Sequence, residues 1–378
     1  MIIKASKSNK FIPVNEPDLN GNEKKYLQEC IDTGWISSEG PYVEKFEIGM
    51  AKLTNRKHAI SVCNGTAALE LAVQAIGINP GDEVIIPSFT IISCGLAVIR
   101  AGAVPVYVDA DPKTWNMSVE QIEDLVTEKT KAIMAVHIYG ITVDMDRLIE
   151  IAKKYKLSVI EDAAEVIGQT YKGKPCGSFG DVSTFSFYPN KHITTGEGGM
   201  VLVNDEEIAE KCKSLRNLCF GKSDRFVHEN LGWNFRMSNL QAAVGVAQLE
   251  NLALTLTKKR KVGILYQEAF RECSKFVLPI DKTDYCENIY WVFGLVSSNP
   301  KRDAKWWMQR LRNSGIGSRP FFYPMHKQPC LQQFHRRTCS LKNCEWLAKF
   351  GFYLPSSPLM LPENIEMIAE KTIKFSNQ

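Results

Sequence analysis

Between residues 56 and 205, short apolar runs alternate with segments whose apolar side chains recur at helical spacing. Apolar runs bounded by turn residues read as strands buried on both faces, and a period near 3.6 reads as an amphipathic helix. On this basis Ala59–Cys63 is predicted to be a strand and Thr66–Ile76 a helix. Glu83–Ser88 is a second strand, Thr90–Ala101 a helix, Pro105–Asp109 and Lys131–His137 further strands. Leu148, Ile149, Ile151, Ala152 and Tyr155 place a helix over Met145–Tyr155, and Leu157–Ile160 is a strand ending at Glu161-Asp162. Such alternation predicts an α/β fold with a mainly parallel sheet covered by helices on both faces. Ligands of these sheets gather at the carboxyl ends of the strands. The residues just after each strand are therefore where chemistry is sought.

Beyond Gly232 the pattern changes. Leu240, Val244, Ala247 and Leu249 predict one long helix from Ser238 to about Lys258. The last third, rich in Trp, Phe, Pro and Cys, reads as a smaller α+β domain. The expected division is a large domain over 1–250, opening with an arm over 1–20, and a small domain over 251–378. There is no internal repeat.

Composition narrows the classes. With 44% hydrophobic and 23% charged residues in 378, the chain is an ordinary globular protein, large enough for a core without disulfides. Lys and Arg number 46 against 42 Asp and Glu, a net charge of +4 with both signs mixed, so no nucleic acid is expected as partner. The longest uncharged run, 84–99, is broken by Pro87 and several hydroxyls, and no membrane span is expected. The hydrophobic stretch at the start is too short for a secretory signal, and eleven cysteines, an odd count, read as reduced thiols in a cytoplasmic protein. Cys330, His335, Cys339 and Cys344 could suggest zinc, but no Cys-x-x-Cys pair occurs, and scattered thiols without a metal are the reading adopted.

Four distant pieces carry candidate chemistry. Asn64-Gly65-Thr66-Ala67-Ala68 follows a strand and opens a helix, a place suited to a phosphate or simply a capped helix start. Asp162 ends a strand, where its carboxylate either faces a ligand or caps the next segment; Glu165 follows it closely. Lys191 stands between Ser186-Phe187-Tyr188-Pro189-Asn190 and the turn Gly196-Glu197-Gly198-Gly199, placed for a buried reactive amine or for a solvated charge. In Gly232–Ser238, Asn234 and Arg236 offer hydrogen bonds to an anion, or the loop is a helix entry capped by Ser238. No Walker A sequence and no Gly-x-Gly-x-x-Gly after a strand is present, which disfavours a nicotinamide dehydrogenase.

Together these pieces resemble the DegT/DnrJ/EryC1/StrS sugar aminotransferases, from about Thr33-Gly34-Trp35-Ile36-Ser37-Ser38 to Tyr323-Pro324-Met325-His326. The resemblance implies pyridoxal 5'-phosphate (PLP) as cofactor and the fold type I architecture, a seven-stranded, mainly parallel sheet plus a smaller α+β domain. It implies Lys191 as the residue that holds the cofactor covalently and moves the proton, and Asp162 as partner of the pyridine nitrogen. Glu165 would lie near the ring hydroxyl and Phe89 on the ring face, with Gly65, Thr66, Ala67 and Ser186 at the phosphate. Asn234 would reach the phosphate in a neighbouring subunit, making the active unit a homodimer. Trp35, Ser37, His192, Arg236 and His326 would face the substrate. The implied reaction takes an amino group from glutamate to a keto sugar on a nucleotide diphosphate. A glutamate at 165 looks like the branch that aminates C4 of a GDP-linked 4-keto-6-deoxyhexose, with a UDP-linked counterpart, C3 amination and a non-catalytic binding protein as alternatives. A related subset has histidine in place of the lysine and dehydrates; the glycine-anchored register puts Lys191 there, which argues for transamination.

Overall fold

The computed structural model describes residues 11–221, 226–334 and 339–378. Helices α1 (Glu23–Thr33) and α2 (Pro41–Thr54) come first. The predicted alternation follows, with most ends shifted by a residue or two: β1 (His58–Val62), α3 (Gly65–Ala75), β2 (Glu83–Pro87), α4 (Ile92–Arg100), β3 (Val104–Val108), β4 (Thr130–Val136), α5 (Met145–Tyr155) and β5 (Ser158–Asp162). A hairpin, β6 (Thr170–Tyr171) and β7 (Lys174–Pro175), leads to β8 (Val182–Ser186), β9 (Gly199–Val203) and α6 (Glu206–Arg216). The large sheet has seven strands in the order β1-β9-β8-β5-β4-β2-β3. β8, β5, β4, β2 and β3 are parallel neighbours, whereas β9 runs antiparallel to β1 and β8.

Alternation within each strand divides the core. Val84, Ile86, Met134 and Ile160 join Leu71, Val73 and Val98 of α3 and α4 on one face. Their sequence neighbours Ile85, Ile133 and Val159 join Leu148 and Ile151 of α5 on the other. Each such fully buried aliphatic side chain contributes about 1.5–3 kcal/mol. With both faces covered, the strands read as continuous apolar runs.

The predicted long helix is instead two, α7 (Asn239–Glu250) and α8 (Leu252–Phe270), separated by Asn251, whose backbone leaves helical geometry at φ −98°, ψ 4°. The packing partners change beyond the break. α7 presents Ala242 and Ala243 to a cluster containing Phe46 of α2, whereas α8 keeps Leu252 and Leu256 in that cluster and presents Val262, Tyr266 and Phe270 to the C-terminal elements. Ser238 caps α7, accepting from the Gln241 amide at 3.3 Å while Gln241 returns a bond to the Ser238 amide.

The remaining elements are β10 (Phe276–Val277), β11 (Phe293–Ser297), α9 (Ala304–Asn313), β12 (Arg319–Pro320), α10 (Lys342–Phe350), β13 (Gly351–Leu354) and α11 (Pro362–Ser376), with a four-stranded antiparallel sheet in the order β10-β11-β13-β12. The arm, grouped by sequence with the large domain, bonds to this C-terminal unit: the Ile12 amide donates to Gly315 O at 2.8 Å and Ile12 O accepts from the Gly317 amide at 2.7 Å.

Behind β5, Glu161 points away from the neighbouring Asp162 and fastens a turn. Its carboxylate accepts from the amides of Gly177 (2.6 Å) and Phe179 (2.8 Å) and from His137 Nε2 (3.1 Å). His137 Nδ1 accepts from the Val143 amide at 3.0 Å, which assigns the proton to Nε2. Buried Arg56 donates to the carbonyls of Gly177 (2.8 Å) and Gly180 (3.1 Å). Cys176 completes a triad close enough to hold a metal, but the imidazole and carboxylate are engaged by N–H groups of the fold. Glu161→Ala leaves three buried donors without an acceptor, at about 1–3 kcal/mol each before relaxation. Urea unfolding should record a loss of about 3–5 kcal/mol; a loss below about 1 kcal/mol would mean that other bonds hold the turn.

Candidate active site

A cavity of about 1320 Å³ opens between the carboxyl ends of the large-sheet strands, the arm and the C-terminal unit. At one wall, β1 runs into α3. Asn64 caps the helix, its side chain accepting from the Ala67 amide at 2.9 Å. The first amides of a helix have no partner within it, and those of Gly65 and Thr66 stand at the cavity wall. A side chain at 65 would put its Cβ 2.7 Å from Ser186 Cβ, so glycine permits the close approach of α3 and β8. Thr66 Oγ1 lies 2.8 Å from Ser93 Oγ, and both line the cavity with Ser186. A helix start ringed by hydroxyls attracts an anion.

Across the cavity, Asp162 ends β5, 3% exposed. Oδ1 accepts from the Ala164 amide at 3.1 Å and Oδ2 from the Cys94 thiol at 3.4 Å. Burial pushes the Asp162 carboxyl above its ordinary range, opposed by the Ala164 amide and the Lys191 charge. Glu165 Oε2 accepts from the Tyr139 amide at 2.9 Å, and burial raises its pKa to about 7. Lys191 Nζ sits 3.7 Å from Glu165 Oε1 and 4.1 Å from the centroid of the Trp291 ring. Its loop is fixed by a bond from the Lys191 amide to Tyr188 O (2.9 Å) and another from Trp291 Nε1 to Asn190 O (2.6 Å).

Gly65, Thr66, Asp162, Glu165, Ser186 and Lys191 thus meet at one cavity. Other candidates lie elsewhere in this chain. Ala67 is buried behind the helix start, its amide taken by the Asn64 cap. Phe89, expected on a ring face, is fully buried among aromatic rings, 6.0 Å from Tyr139 and 5.8 Å from Phe322, and does not line the cavity; Phe322 does. His192, expected toward the substrate, is 3% exposed and absent from the lining; burial and the Lys259 charge push its imidazole well below its usual pKa. His326 also lies off the cavity, held between Ser88 Oγ (2.7 Å) and Glu345 Oε1 (3.1 Å). Trp35, Ser37 and Asn234 are exposed outside it, and Arg236 donates to Asn217 Oδ1. Of the zinc candidates, Cys330 is exposed, Cys339 donates to Gln121 Oε1 at 3.0 Å, Cys344 is buried, and His335 lies outside the described residues.

Sequence reasoning missed Ser93, Thr184 and Trp291. Ser93 stands in the first turn after β2, the same topological position as Thr66 after β1, which was a usable signal. Thr184 pairs with Asp162 across β5 and β8, lines the cavity, and its buried hydroxyl has no hydrogen-bond partner among the described residues. Nothing in the sequence distinguishes it from another strand threonine.

The strand order, with β9 reversed in a parallel sheet, and a half-buried lysine after β8 define the fold type I class of α/β transferases. The chain belongs to the DegT/DnrJ/EryC1/StrS aminotransferase family, which matches residues 17–372. It is 40% identical to the GDP-perosamine synthase of Escherichia coli O157:H7, over 97% of this chain and 99% of that protein. Similarity to the GDP-perosamine synthase of Caulobacter vibrioides is 42% identity over 94% and 96%. Among solved structures, Helicobacter pylori PseC, an aminotransferase involved in the biosynthesis of pseudoaminic acid, superposes with a TM-score of 0.92 at 26% identity, covering 97% of this chain and 100% of that one. No helix among the described residues is long and apolar enough to cross a membrane.

The raised Glu165 pKa predicts a pH dependence. Below about pH 4.5 the carboxyl is protonated folded and unfolded, and contributes no difference; between there and about 7 only the folded state keeps the proton, so its contribution turns unfavourable as pH rises. Glu165→Gln removes that penalty. Urea unfolding of protein freed of small ligands should show the variant gaining about 1–3 kcal/mol on the parent between pH 5 and pH 8. A constant difference across that range would contradict the assignment.

Proposed function

We propose that this chain is a PLP-dependent aminotransferase that moves an amino group from glutamate to C4 of a GDP-linked 4-keto-6-deoxyhexose, yielding a GDP-perosamine-type product for dideoxyamino-sugar and glycan synthesis in the cytoplasm. The observation that carries this reading is the meeting of Asp162, Glu165 and Lys191 in one cavity opposite the α3 start. About 40% identity to GDP-perosamine synthases over nearly whole chains supports the substrate.

The residues fit PLP. The helix start, with the hydroxyls of Thr66, Ser93 and Ser186, matches a phosphate, and the unpartnered Thr184 hydroxyl marks a polar contact left for a ligand. When bound, the cofactor supplies an electron sink for the carbanion formed at the amine-bearing carbon. Asp162 would keep a proton on the pyridine nitrogen, and its burial would make that charged hydrogen bond stronger than in water. Glu165, its pKa raised by burial to about 7, would share a proton with the ring hydroxyl. Lys191 Nζ would hold the cofactor and, when free, would take up and return the proton at the substrate carbon. Glutamate enters for the first half of the reaction and the sugar nucleotide for the second, so one cavity serves both.

The active unit is taken to be a homodimer. Trp35 and Ile36 leave half their surface exposed, and Asn234 stands outside its own chain's cavity. A second copy would bring Asn234 to the neighbouring phosphate, with Trp35, Ser37 and Arg236 near the substrate.

Incubation with PLP, glutamate and GDP-4-keto-6-deoxymannose should yield, by mass spectrometry, a product with an amine in place of the keto oxygen. Preference for a UDP-linked sugar, or an amine at C3, would move the assignment within the family. Failure of glutamate to bleach the lysine-linked absorbance would favour a non-catalytic binding protein. Lys191→Ala should lose at least about 10³-fold in turnover while still binding PLP without a covalent bond; normal turnover would refute its role.

A further inference from the structure

Lys259 lies within α8 and is 3% exposed, yet it pairs with no carboxylate among the described residues. Its amine donates to Trp291 O at 2.7 Å and to Ser356 O. These carbonyls belong to cavity-lining residues just before β11 and just after β13. The Trp291 ring is fixed at its other end, Nε1 donating at 2.6 Å to O of Asn190, the residue before Lys191. The indole is thereby held at its backbone and at its edge. Its face receives Lys191 Nζ at 4.1 Å from the ring centroid.

We propose that Trp291 is the docking face on which the Lys191 amine rests whenever it is not bonded to cofactor, and that Lys259 is the positioning residue that holds this face in place. The proposal rests on the reading of Lys191 as the cofactor-binding lysine. A lysine released from a cofactor has a long flexible stem and must stay within reach of the reacting carbons. An indole face attracts an ammonium through its quadrupole and is the strongest aromatic surface for doing so. It also contains no basic atom, so a proton resting there remains available to substrate. Glu165, 3.7 Å away, defines the other side of the resting position, and its carboxylate would take a proton from the ammonium so that the neutral amine could attack the cofactor's carbonyl carbon, whose oxygen would leave as water. Burial lowers the Lys259 pKa to about 7. A neutral amine still has two N–H groups for its two carbonyls, so the clamp survives loss of the charge.

The test separates capture of the cofactor from its binding. Non-covalent PLP affinity is measured by titration in the Lys191→Ala background, with and without each further substitution. The covalent step is followed in cofactor-free protein by stopped-flow appearance of the lysine-linked absorbance after mixing with PLP. Trp291→Leu should slow capture by about 3- to 30-fold, with Trp291→Phe between it and the parent, while non-covalent affinity changes less than about twofold. Lys259→Met should slow capture likewise with Trp291 still present. Capture within about twofold of the parent in Trp291→Leu, or equal losses of affinity and capture, would overturn the docking role. Parental capture by a folded Lys259→Met would overturn the positioning role; if that variant does not fold, thermal melting will show it, and the two Trp291 variants decide the proposal. A parent that binds PLP but never develops the lysine-linked absorbance would instead refute the reading of Lys191 itself.

Discussion

Two buried carboxylates share one half-buried ammonium. Asp162 ends β5 and Glu165 follows it, both in a site with little access to water, and Lys191 is the cation beside them. Ionising both acids there against a single positive charge is unfavourable. The protein answers by supplying N–H donors from Ala164 and Tyr139, a thiol from Cys94, and a proton that Glu165 keeps to about neutral pH. A protonated heterocycle would relieve the remaining imbalance at Asp162, so the same constraint that makes the site costly makes it selective for such a ligand.

Much of the surrounding structure holds that arrangement still. β5 can deliver Asp162 to the cavity because Glu161, one residue earlier, anchors the opposite face through the 177–180 turn. Gly65 brings α3 against β8, and the Trp291–Asn190 bond joins the C-terminal unit to the lysine loop. The arm is fastened to the C-terminal unit at Ile12 and lines the cavity with Pro13, Val14 and Asn15. The site is assembled from distant segments, none of which could fix its geometry alone.

The legible parts were those governed by local rules. Periodicity found the strands of the 56–205 alternation and α5 because both sheet faces are buried, whereas spacing alone left Lys191 as a reactive amine or a solvated charge and the resemblance of its loop, taken with the upstream Asp162, singled it out. The break at Asn251 was not legible: apolar residues continue across it, and beyond it α8 keeps Leu252 and Leu256 in the α7 cluster while its later turns, at Val262, Tyr266 and Phe270, pack against the C-terminal unit. Phe89 and His192 stand beside informative motifs, but their side chains are consumed by packing. Trp291 was hidden for the opposite reason, as one aromatic in a segment rich in core aromatics. For Trp35, Ser37 and Asn234, exposed outside the cavity of their own chain, a single copy supplies no packing from which a role could be read.

The small net charge also acquires a physical meaning when the lining is considered by location. Asp162 ends β5 and Glu165 follows it, while Lys305 and Arg312 project from one side of α9 and Arg319 comes from β12. Positions 305, 308, 309 and 312 lie on one helical face, and all four line the cavity. A long acceptor with a neutral sugar at one end and a diphosphate towards the other would be oriented by this polarity. Reversing it would bring the diphosphate against the carboxylates and leave the basic face without an anion. Orientation therefore requires opposite charges at separated parts of the cavity, not an excess of either sign over the whole chain, and a protein of net charge +4 can meet that requirement.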